Sequence, residues 1–208
     1  MNIIAHRGFW KALSEKNQLI AFERALVNGF GIETDFRDFN GEIIISHDVP
    51  RVMGLSAIKF FRLVRQINPS AIIAVNIKSD CLKSMFDASW SEHPEKLFFF
   101  DMSTPDMVSY LDSPYHVYTR HSEIEKIPVF YEKSSGVWLD SFGLEWYGRD
   151  VIDTHLSNGK RLCIVSPELH GRDHTTLWAS LKLWGLYKNG NVSLCTDFPG
   201  MAKEYFNG

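Results

Sequence analysis

Residues 31–48 read GIETDFRDFNGEIIISHD and join two apolar runs through a short polar turn. An Asn-Gly pair between two such runs is the strongest short-range sign of a β-hairpin, so Asn40 and Gly41 are expected to form the turn. The first run carries Glu33 and Asp35, and His47 follows the second run. The hairpin is therefore expected to bring His47 back beside the two acids.

Eight short apolar runs of strand length recur along the chain, with helix-like segments between them. Alternation of this kind predicts a parallel sheet with helices outside, and eight units predict an α/β fold of the compact (β/α)8 TIM barrel type. An open doubly wound sheet is the alternative. Because the chain is short for a barrel, we expect outer helices to be short or missing between Asp140 and Arg161 and at the carboxyl end. The runs are Ile3–Ala5, Gly31–Asp35, Ala71–Lys78, Leu97–Met102, His116–Thr119, Val137–Asp140, Leu162–Ser166 and Val192–Thr196.

Length and composition narrow the class of protein. A chain of 208 residues with 45% hydrophobic content can bury a full core, so residues 1–208 are expected to form a single domain with a minimal cap insertion. The net charge of -3 provides no basic surface, which argues against nucleic acid as a partner. Three widely spaced cysteines favour a reducing compartment. Without a signal-peptide pattern or a transmembrane segment in the sequence, the expected location is cytoplasmic.

Polar and charged side chains gather where the predicted strands end, whereas the middles of the strands are apolar. In a parallel barrel the functional groups lie at this carboxyl end. The asymmetry favours an active site over scattered surface charge. The residues at these positions are His6, Arg7, Glu33, Asp35, Lys78, Asp101, Arg120, His121, Asp140, Glu168 and Asp197.

These residue types suit the cleavage of a phosphodiester. Glu33 and Asp35 are two apart on a strand, so they point to the same side and can hold one hard cation, Mg²⁺ or Ca²⁺. His6 and His47 can exchange protons near neutral pH, one with the nucleophile and the other with the leaving alkoxide. Lys78 would stabilise negative charge that grows on the phosphoryl oxygens.

The order of these motifs resembles the glycerophosphodiester phosphodiesterase family, which shares its barrel with the sphingomyelinase D type phospholipases. The resemblance implies a (β/α)8 fold, a divalent metal held by Glu33 and Asp35, and acid/base catalysis by His6 and His47. Lys78 matches the lysine that ends the third strand in the family. The other matching residues, in order, are His6-Arg7-Gly8, Asn17 to Phe22, Ala25, Gly29, Ile32 to Asp35, Asn40-Gly41, His47-Asp48 and Thr196 to Pro199.

The chain departs from the family pattern at two positions. Asn76 stands where the family commonly has a third acidic metal ligand, so its amide oxygen is the expected third ligand, with one negative charge fewer. Lys16 replaces the acidic residue that precedes Asn17 in the family. Glu168 is expected to point toward the site and either supply the missing charge or bind substrate hydroxyls. The alternative for Glu168 is a residue at the amino terminus of a helix, where the dipole favours an acid.

The leading hypothesis is a metal-dependent phosphodiesterase that acts on a glycerophosphodiester or a related small-molecule or glycan-linked polyol or sugar phosphodiester. Arg7, Lys78 and Arg120 are the expected phosphate contacts. One alternative is a weakened barrel that only binds a phosphate-bearing ligand, because Asn76 no longer supports the metal. Another is a phospholipase D-like lyase that forms a cyclic phosphate at membranes. That lyase would need an exposed apolar or basic loop, for which the candidates are Trp10, Trp146 and Tyr147.

Overall fold

The computed structural model describes residues 1–86 and 93–207, and its central feature is a closed barrel of eight parallel strands. The barrel closes because β1 pairs in parallel with both β2 and β10. The predicted (β/α)8 barrel is thus confirmed, and the open doubly wound alternative is wrong. The barrel strands are β1 (Asn2–His6), β2 (Gly31–Phe39), β5 (Ile73–Ile77), β6 (Leu97–Phe100), β7 (His116–His121), β8 (Gly136–Leu139), β9 (Arg161–Val165) and β10 (Val192–Thr196).

The hairpin after β2 extends the sheet at the carboxyl end of the barrel. Strand β3 (Glu42–Ile45) pairs antiparallel with β2, with Phe36 opposite Ile45. Strand β4 (Leu55–Ser56) then pairs antiparallel with β3. The hairpin turn has the expected left-handed backbone, with φ of 50° at Asn40 and 80° at Gly41. The amide of Ser46 donates to the carbonyl of Asp35 at 3.0 Å, so the residue before His47 lies at the level of the acids.

The outer layer differs from the expectation. Helices α4 and α6 occupy the two places where we expected short or missing helices, and they match their neighbours in length. The sequence of α4, RDVIDTHLS, has only three aliphatic residues, because one narrow stripe of an outer helix meets the barrel. No helix in the described residues could span a membrane. The helices are α1 (Leu19–Val27), α2 (Ala57–Ile67), α3 (Thr104–Leu111), α4 (Arg149–Ser157), α5 (Thr175–Leu183) and α6 (Pro199–Asn207).

Two connections between barrel strands contain only 3-10 turns, and no α-helix, in their described parts. The link between β7 and β8 has one turn at Tyr131–Lys133, and the link between β5 and β6 has turns at Leu82–Met85 and Pro94–Lys96. The outer layer is therefore not α-helical in the described parts of these two links.

The interior of the barrel is a packed apolar layer. Phe98 stacks on Tyr118 and Phe100 stacks on Trp138, each with ring centroids 3.9 Å apart. Because side chains alternate along a strand, the next inward position toward the carboxyl end lies directly above this layer. The members of the layer are Ile4, Ala74, Phe98, Phe100, Tyr118, Trp138, Cys163, Val165 and Cys195.

Gly8 lets the chain turn sharply from β1 against α1. Its φ is +87°, and a Cβ at this position would lie 2.8 Å from both the carbonyl carbon and the Cβ of Ala21. A side chain would therefore meet both a strained backbone and a steric clash.

We predict that Gly8→Ala destabilises the fold more than Gly41→Ala. Gly41 has a φ of +80° but nothing within 4 Å of its would-be Cβ, so it isolates the backbone cost. That backbone cost is about 1–2 kcal/mol at either position, and overpacking adds about 1–3 kcal/mol at Gly8 only. Urea denaturation of both variants measures the difference. Equal losses would contradict the proposed contact with α1.

Candidate active site

The polar layer of the site continues the inward face of the barrel one step above the apolar layer. His6 lies two residues beyond Ile4, and Asn76 lies two beyond Ala74. The register sets His6 opposite Glu33 and Asp35 opposite Asn76 on neighbouring strands. The residues placed in this way are His6, Glu33, Asp35, Asn76, Arg120, Asp140 and Asp197.

A cleft of about 380 Å³ opens above this layer at the carboxyl end of the barrel. His6, Glu33, His47, Asn76 and Lys78 line it together. The two imidazoles, an acid and a lysine that sequence reasoning selected thus face one space. Trp138 at the top of the apolar interior also lines the cleft.

His6 is held by a carboxylate at the end of β10. Its Nδ1 lies 2.7 Å from Oδ1 of Asp197, and its Nε2 lies 3.9 Å from Oε2 of Glu33. Burial lowers the pKa of His6, although the hydrogen bond with Asp197 opposes the shift. The neutral imidazole is therefore favoured. Since Asp197 accepts the Nδ1 proton, Nε2 is the nitrogen that can accept another.

Asp197 is itself fixed as an anion. Burial acts to raise the pKa of Asp197, but the hydrogen bond from His6 and the positive charge of Lys16 outweigh it and lower the pKa. Nζ of Lys16 donates to Oδ2 of Asp197 at 3.3 Å. The residue that departs from the family pattern before Asn17 thus supports the carboxylate that orients His6.

Asp35 is fully buried and is contacted from three sides. Nε of Arg7 lies 3.0 Å from its Oδ2, and Nζ of Lys78 lies 3.5 Å from its Oδ1. Nδ2 of Asn17 donates to Oδ2 at 2.8 Å, while Oδ1 of Asn17 accepts from the hydroxyl of Thr34 at 3.0 Å. This clamp fixes the orientation of the carboxylate in the absence of any ligand.

Glu33 experiences a different field from Asp35. Burial first, and the negative charge of Asp35 second, raise the pKa of Glu33 to about 8 against the opposing charges of Arg7 and Lys78. The backbone amide of Arg7 donates to Oε2 of Glu33 at 3.3 Å. A further cation beside Glu33 would favour its ionised form.

His47 approaches the same cleft from the hairpin and is 45% exposed. Its Nδ1 lies 2.8 Å from Oδ1 of Asp48, and this hydrogen bond lowers the pKa of Asp48. Because Nδ1 of His47 is hydrogen-bonded to Asp48, Nε2 is the nitrogen that can contact a ligand.

Several buried side-chain oxygens lack a hydrogen-bond donor among the described residues, and two of them face each other across β2 and β5. They are Oδ1 of Asp35, which has only the ion pair with Lys78, and Oδ1 of Asn76, its register partner on the neighbouring strand. With the carboxylate of Glu33 they make a set of hard oxygen donors, which is the chemistry that Mg²⁺ or Ca²⁺ requires. The described residues contain no metal-binding group of three His, Cys, Asp or Glu side chains. The donor set at this place has two carboxylates and the amide of Asn76.

Arg120 is paired with acids rather than left open to an anion. Its guanidinium contacts Asp101, lies 3.2 Å from Glu125 and lies 3.3 Å from Asp140. Arg120 lines the cleft, but three carboxylates already neutralise its charge. A direct contact of Arg120 with phosphate stays a prediction.

Glu168 supports the end of β10. Its Oε1 accepts from the Thr196 hydroxyl and from the backbone amide of Asp197, the latter at 3.1 Å. Glu168 is not among the residues that line the cleft, unlike its neighbours Leu169 and His170. Its expected role as a metal or substrate contact stays a prediction, and its observed partners make it a support for Asp197.

Sequence reasoning missed two functional contacts. Asp197 was noted as a polar strand end and as part of the matching run Thr196 to Pro199, but not as the partner of His6. His170 was not selected, yet it lines the cleft and its Nε2 lies 2.8 Å from Oδ1 of Asp140. The available signal was position, because Asp197 follows β10 directly and His170 ends the 3-10 turn after β9, both at the carboxyl end of the barrel.

Comparison with known proteins supports the fold. No family model matches the sequence, and no curated protein matches it. A crystal structure of a candidate glycerophosphodiester phosphodiesterase from Galdieria sulphuraria superposes with a TM-score of 0.75 at 15% identity, covering 100% of this chain and 98% of that one. A glycerophosphoryl diester phosphodiesterase from Parabacteroides distasonis gives a TM-score of 0.68 at 13% identity, covering 99% and 86%. This chain shares their fold. Both carry the name of the family that the sequence motifs resemble.

We predict that Asn17→Ala lowers the free energy of unfolding by about 1–3 kcal/mol more than Asn40→Ala, because it removes the buried bonds to Asp35 and Thr34. Both asparagines have a left-handed backbone, with φ of 61° and 50°, but Asn40 is exposed. Asn40→Ala therefore carries the backbone cost alone. Chemical denaturation measures both variants, and a difference near zero would show that the clamp on Asp35 does not depend on Asn17.

Proposed function

We propose that this chain is a divalent-metal-dependent phosphodiesterase that cleaves a glycerophosphodiester or a related polyol or sugar phosphodiester. The supporting observation is that His6, His47, Glu33 and Lys78 line one cleft, while the buried Asp35 lies behind the lining in contact with Lys78. The names of the two structural neighbours point to the same reaction class.

In this proposal the two histidines move the protons. Nε2 of His6 accepts the proton of the nucleophile, a water or a vicinal hydroxyl of the substrate, as the new P–O bond forms. Nε2 of His47 gives a proton to the leaving alcohol as the old P–O bond breaks. The lowered pKa of His6 supports its assignment as the base, since the imidazole is neutral before the reaction.

Positive charge supports the transition state. Lys78 and Arg7 line the cleft while they contact Asp35, so both lie where a phosphoryl group would bind. Lys78 can neutralise charge that develops on the non-bridging oxygens. Arg7 keeps Asp35 in place and contributes to the same field.

Glu33, Asp35 and Asn76 would hold the cation, Mg²⁺ or Ca²⁺. When bound, the ion supplies charge that polarises the phosphoryl group. Oδ1 of Asp35 and Oδ1 of Asn76, which have no hydrogen-bond donor among the described residues, support this assignment. The amide of Asn76 provides one charge fewer than a carboxylate, so we infer a weaker site than three acids would make.

The mouth of the cleft favours an accessible substrate. The loop between β3 and β4 spans only residues 46–54, and no inserted domain covers the cleft there. A bulky phosphodiester, including one linked to a glycan, would fit this opening. The proposed setting is the cytoplasm.

We predict that His6→Ala and His47→Ala each reduce kcat/KM for glycerophosphocholine, a diester whose alcohol leaving group needs a proton, by about 10²–10⁴-fold, because each removes one proton-transfer group. His116→Ala is the matched control, since His116 begins β7 at the opposite end of the barrel. Thermal melting checks that the variants stay folded. Retention of most activity by either site variant, with the fold intact, would rule out the proposed acid/base pair.

Metal removal separates the enzyme from a barrel that only binds phosphate. We expect EDTA to abolish hydrolysis and Mg²⁺ or Ca²⁺ to restore it, because the bound cation would orient and polarise the phosphoryl group. Calorimetry with glycerol phosphate gives the second readout. If glycerol phosphate binds equally well with and without the cation, and no product forms, the result would instead support the phosphate-binding alternative.

We predict that Asn76→Asp tightens Mn²⁺ binding by about tenfold or more, because a third carboxylate adds charge to the ligand set. Asn207→Asp changes the net charge equally at the end of α6, far from the cleft, and should leave the affinity unchanged. Isothermal calorimetry measures both. An unchanged Mn²⁺ affinity in Asn76→Asp would remove Asn76 from the ligand set.

A further inference from the structure

The most exposed apolar side chains of this protein surround the mouth of the cleft. Seven large apolar side chains in the described residues are more than 70% exposed, and six of them lie on loops at the carboxyl end of the barrel. The exception is Leu183, at the end of α5. We call the six the rim residues: Leu13, Val49, Val52, Ile124, Ile127 and Leu144.

The rim residues stand on opposite sides of the cleft. Leu13 follows β1, and Val49 and Val52 follow the hairpin strand β3. Ile124, Ile127 and Leu144 follow β7 and β8, which lie across the barrel from β1 and β2 in the strand order. A partner that covers all six must therefore span the mouth of the cleft.

The loops on the far side are tied together. The amide of Gly143 donates to Oε1 of Glu123 at 2.6 Å, and the hydroxyl of Ser141 donates to the carbonyl of Leu144 at 2.6 Å. These bonds fix the backbone beside Ile124 and Leu144. The apolar tips are thus presented on structured loops.

The charge of the rim selects the chemistry of the partner. The four loops, residues 7–18, 46–54, 122–135 and 140–148, contain six basic and seven acidic side chains. A rim without excess positive charge has no electrostatic preference for an anionic surface. Separate aliphatic tips around a polar cleft suit shallow insertion among the headgroups of an uncharged or zwitterionic bilayer.

The aromatic residues considered from the sequence do not form this surface. The Nε1 of Trp146 donates to the carbonyl of Asp140 at 2.7 Å, and Trp146 and Tyr147 pack against the cluster between the barrel and its helices. Trp10 is partly buried, and Nζ of Lys16 lies over the Trp10 ring, 4.4 Å from the ring centroid. The exposed apolar groups of the rim are therefore aliphatic, and the three aromatic candidates from the sequence pack against the protein instead.

We propose that the rim residues dock this protein on a zwitterionic lipid surface, with the cleft facing the headgroups. The docking surface is independent of the proposed hydrolysis. The consequence that a headgroup phosphodiester enters the cleft does rest on the proposed function.

The test is flotation of the full chain with phosphatidylcholine vesicles. The rim variant carries Leu13→Ser, Val52→Ser, Ile127→Ser and Leu144→Ser, one change in each loop. The control variant carries Val27→Ser and Leu183→Ser, two exposed changes at the carboxyl ends of α1 and α5, on the opposite end of the barrel. Thermal melting confirms that both variants fold.

We expect the unmodified chain and the control variant to partition equally into vesicles, and the rim variant to lose about tenfold or more of its partition coefficient. Raising the salt from about 0.1 M to about 0.5 M should have little effect, because apolar insertion is not screened. Hydrolysis of soluble bis(4-nitrophenyl) phosphate should be the same in the rim variant as in the unmodified chain. If no variant hydrolyses this substrate while the partitioning behaves as described, the phosphodiesterase proposal fails and the docking surface stands.

Four results would overturn the docking proposal. They are no partitioning of the unmodified chain, an equal loss in the control variant, binding that requires anionic lipid and vanishes with salt, and self-association without lipid that the rim variant abolishes. The last result would assign the rim to a contact between two copies of this chain.

Discussion

The pairing of β1 with β2 fixes the geometry on which the whole candidate site depends. The register opposes His6 to Glu33, and closure of the barrel on the other side of β1 brings Asp197 of β10 to Nδ1 of the same imidazole. Because side chains alternate along a strand, a slip of one residue would turn His6 out of the barrel. The apolar layer beneath prevents such a slip, since Ile4 must stay in the interior.

The two acids of β2 differ in their direct contacts although they are two residues apart. Asp35 is buried between Arg7 and Lys78, whereas Glu33 faces the cleft, and burial raises its pKa. A cation at this place would add positive charge beside Glu33 and so favour its ionised form. Because Asn76 is neutral, the site carries less negative charge to balance than a site of three carboxylates would. Lys78 balances part of this charge, since its Nζ lies 3.5 Å from Oδ1 of Asp35. In the proposed enzyme, Lys78 and Arg7 would therefore supply part of the positive charge.

The sequence could predict the strands because each is short, apolar and closed by a polar residue. It could predict the hairpin because Asn40 and Gly41 are the residues that such a turn requires. It could not predict α4, whose exposed surface leaves few apolar residues to form a pattern. Outer helices are set by packing on the barrel more than by their own periodicity.

Within the candidate site, the sequence identified positions better than partners. His6 and Asp197 are 191 residues apart along the chain, and only closure of the barrel joins them. The three carboxylates around Arg120 come from three different segments, so the neutralised guanidinium was not visible in the sequence either. Residue type and strand position indicate which groups gather, whereas pairing depends on register and loop conformation.

The most direct measurement is a crystal of this protein soaked in Mn²⁺, with the ion located by its anomalous scattering. Our account predicts one strong peak in contact with Glu33, Asp35 and the amide oxygen of Asn76, inside the cleft that His6 and His47 line. A peak at another place, or none at saturating Mn²⁺, would contradict it.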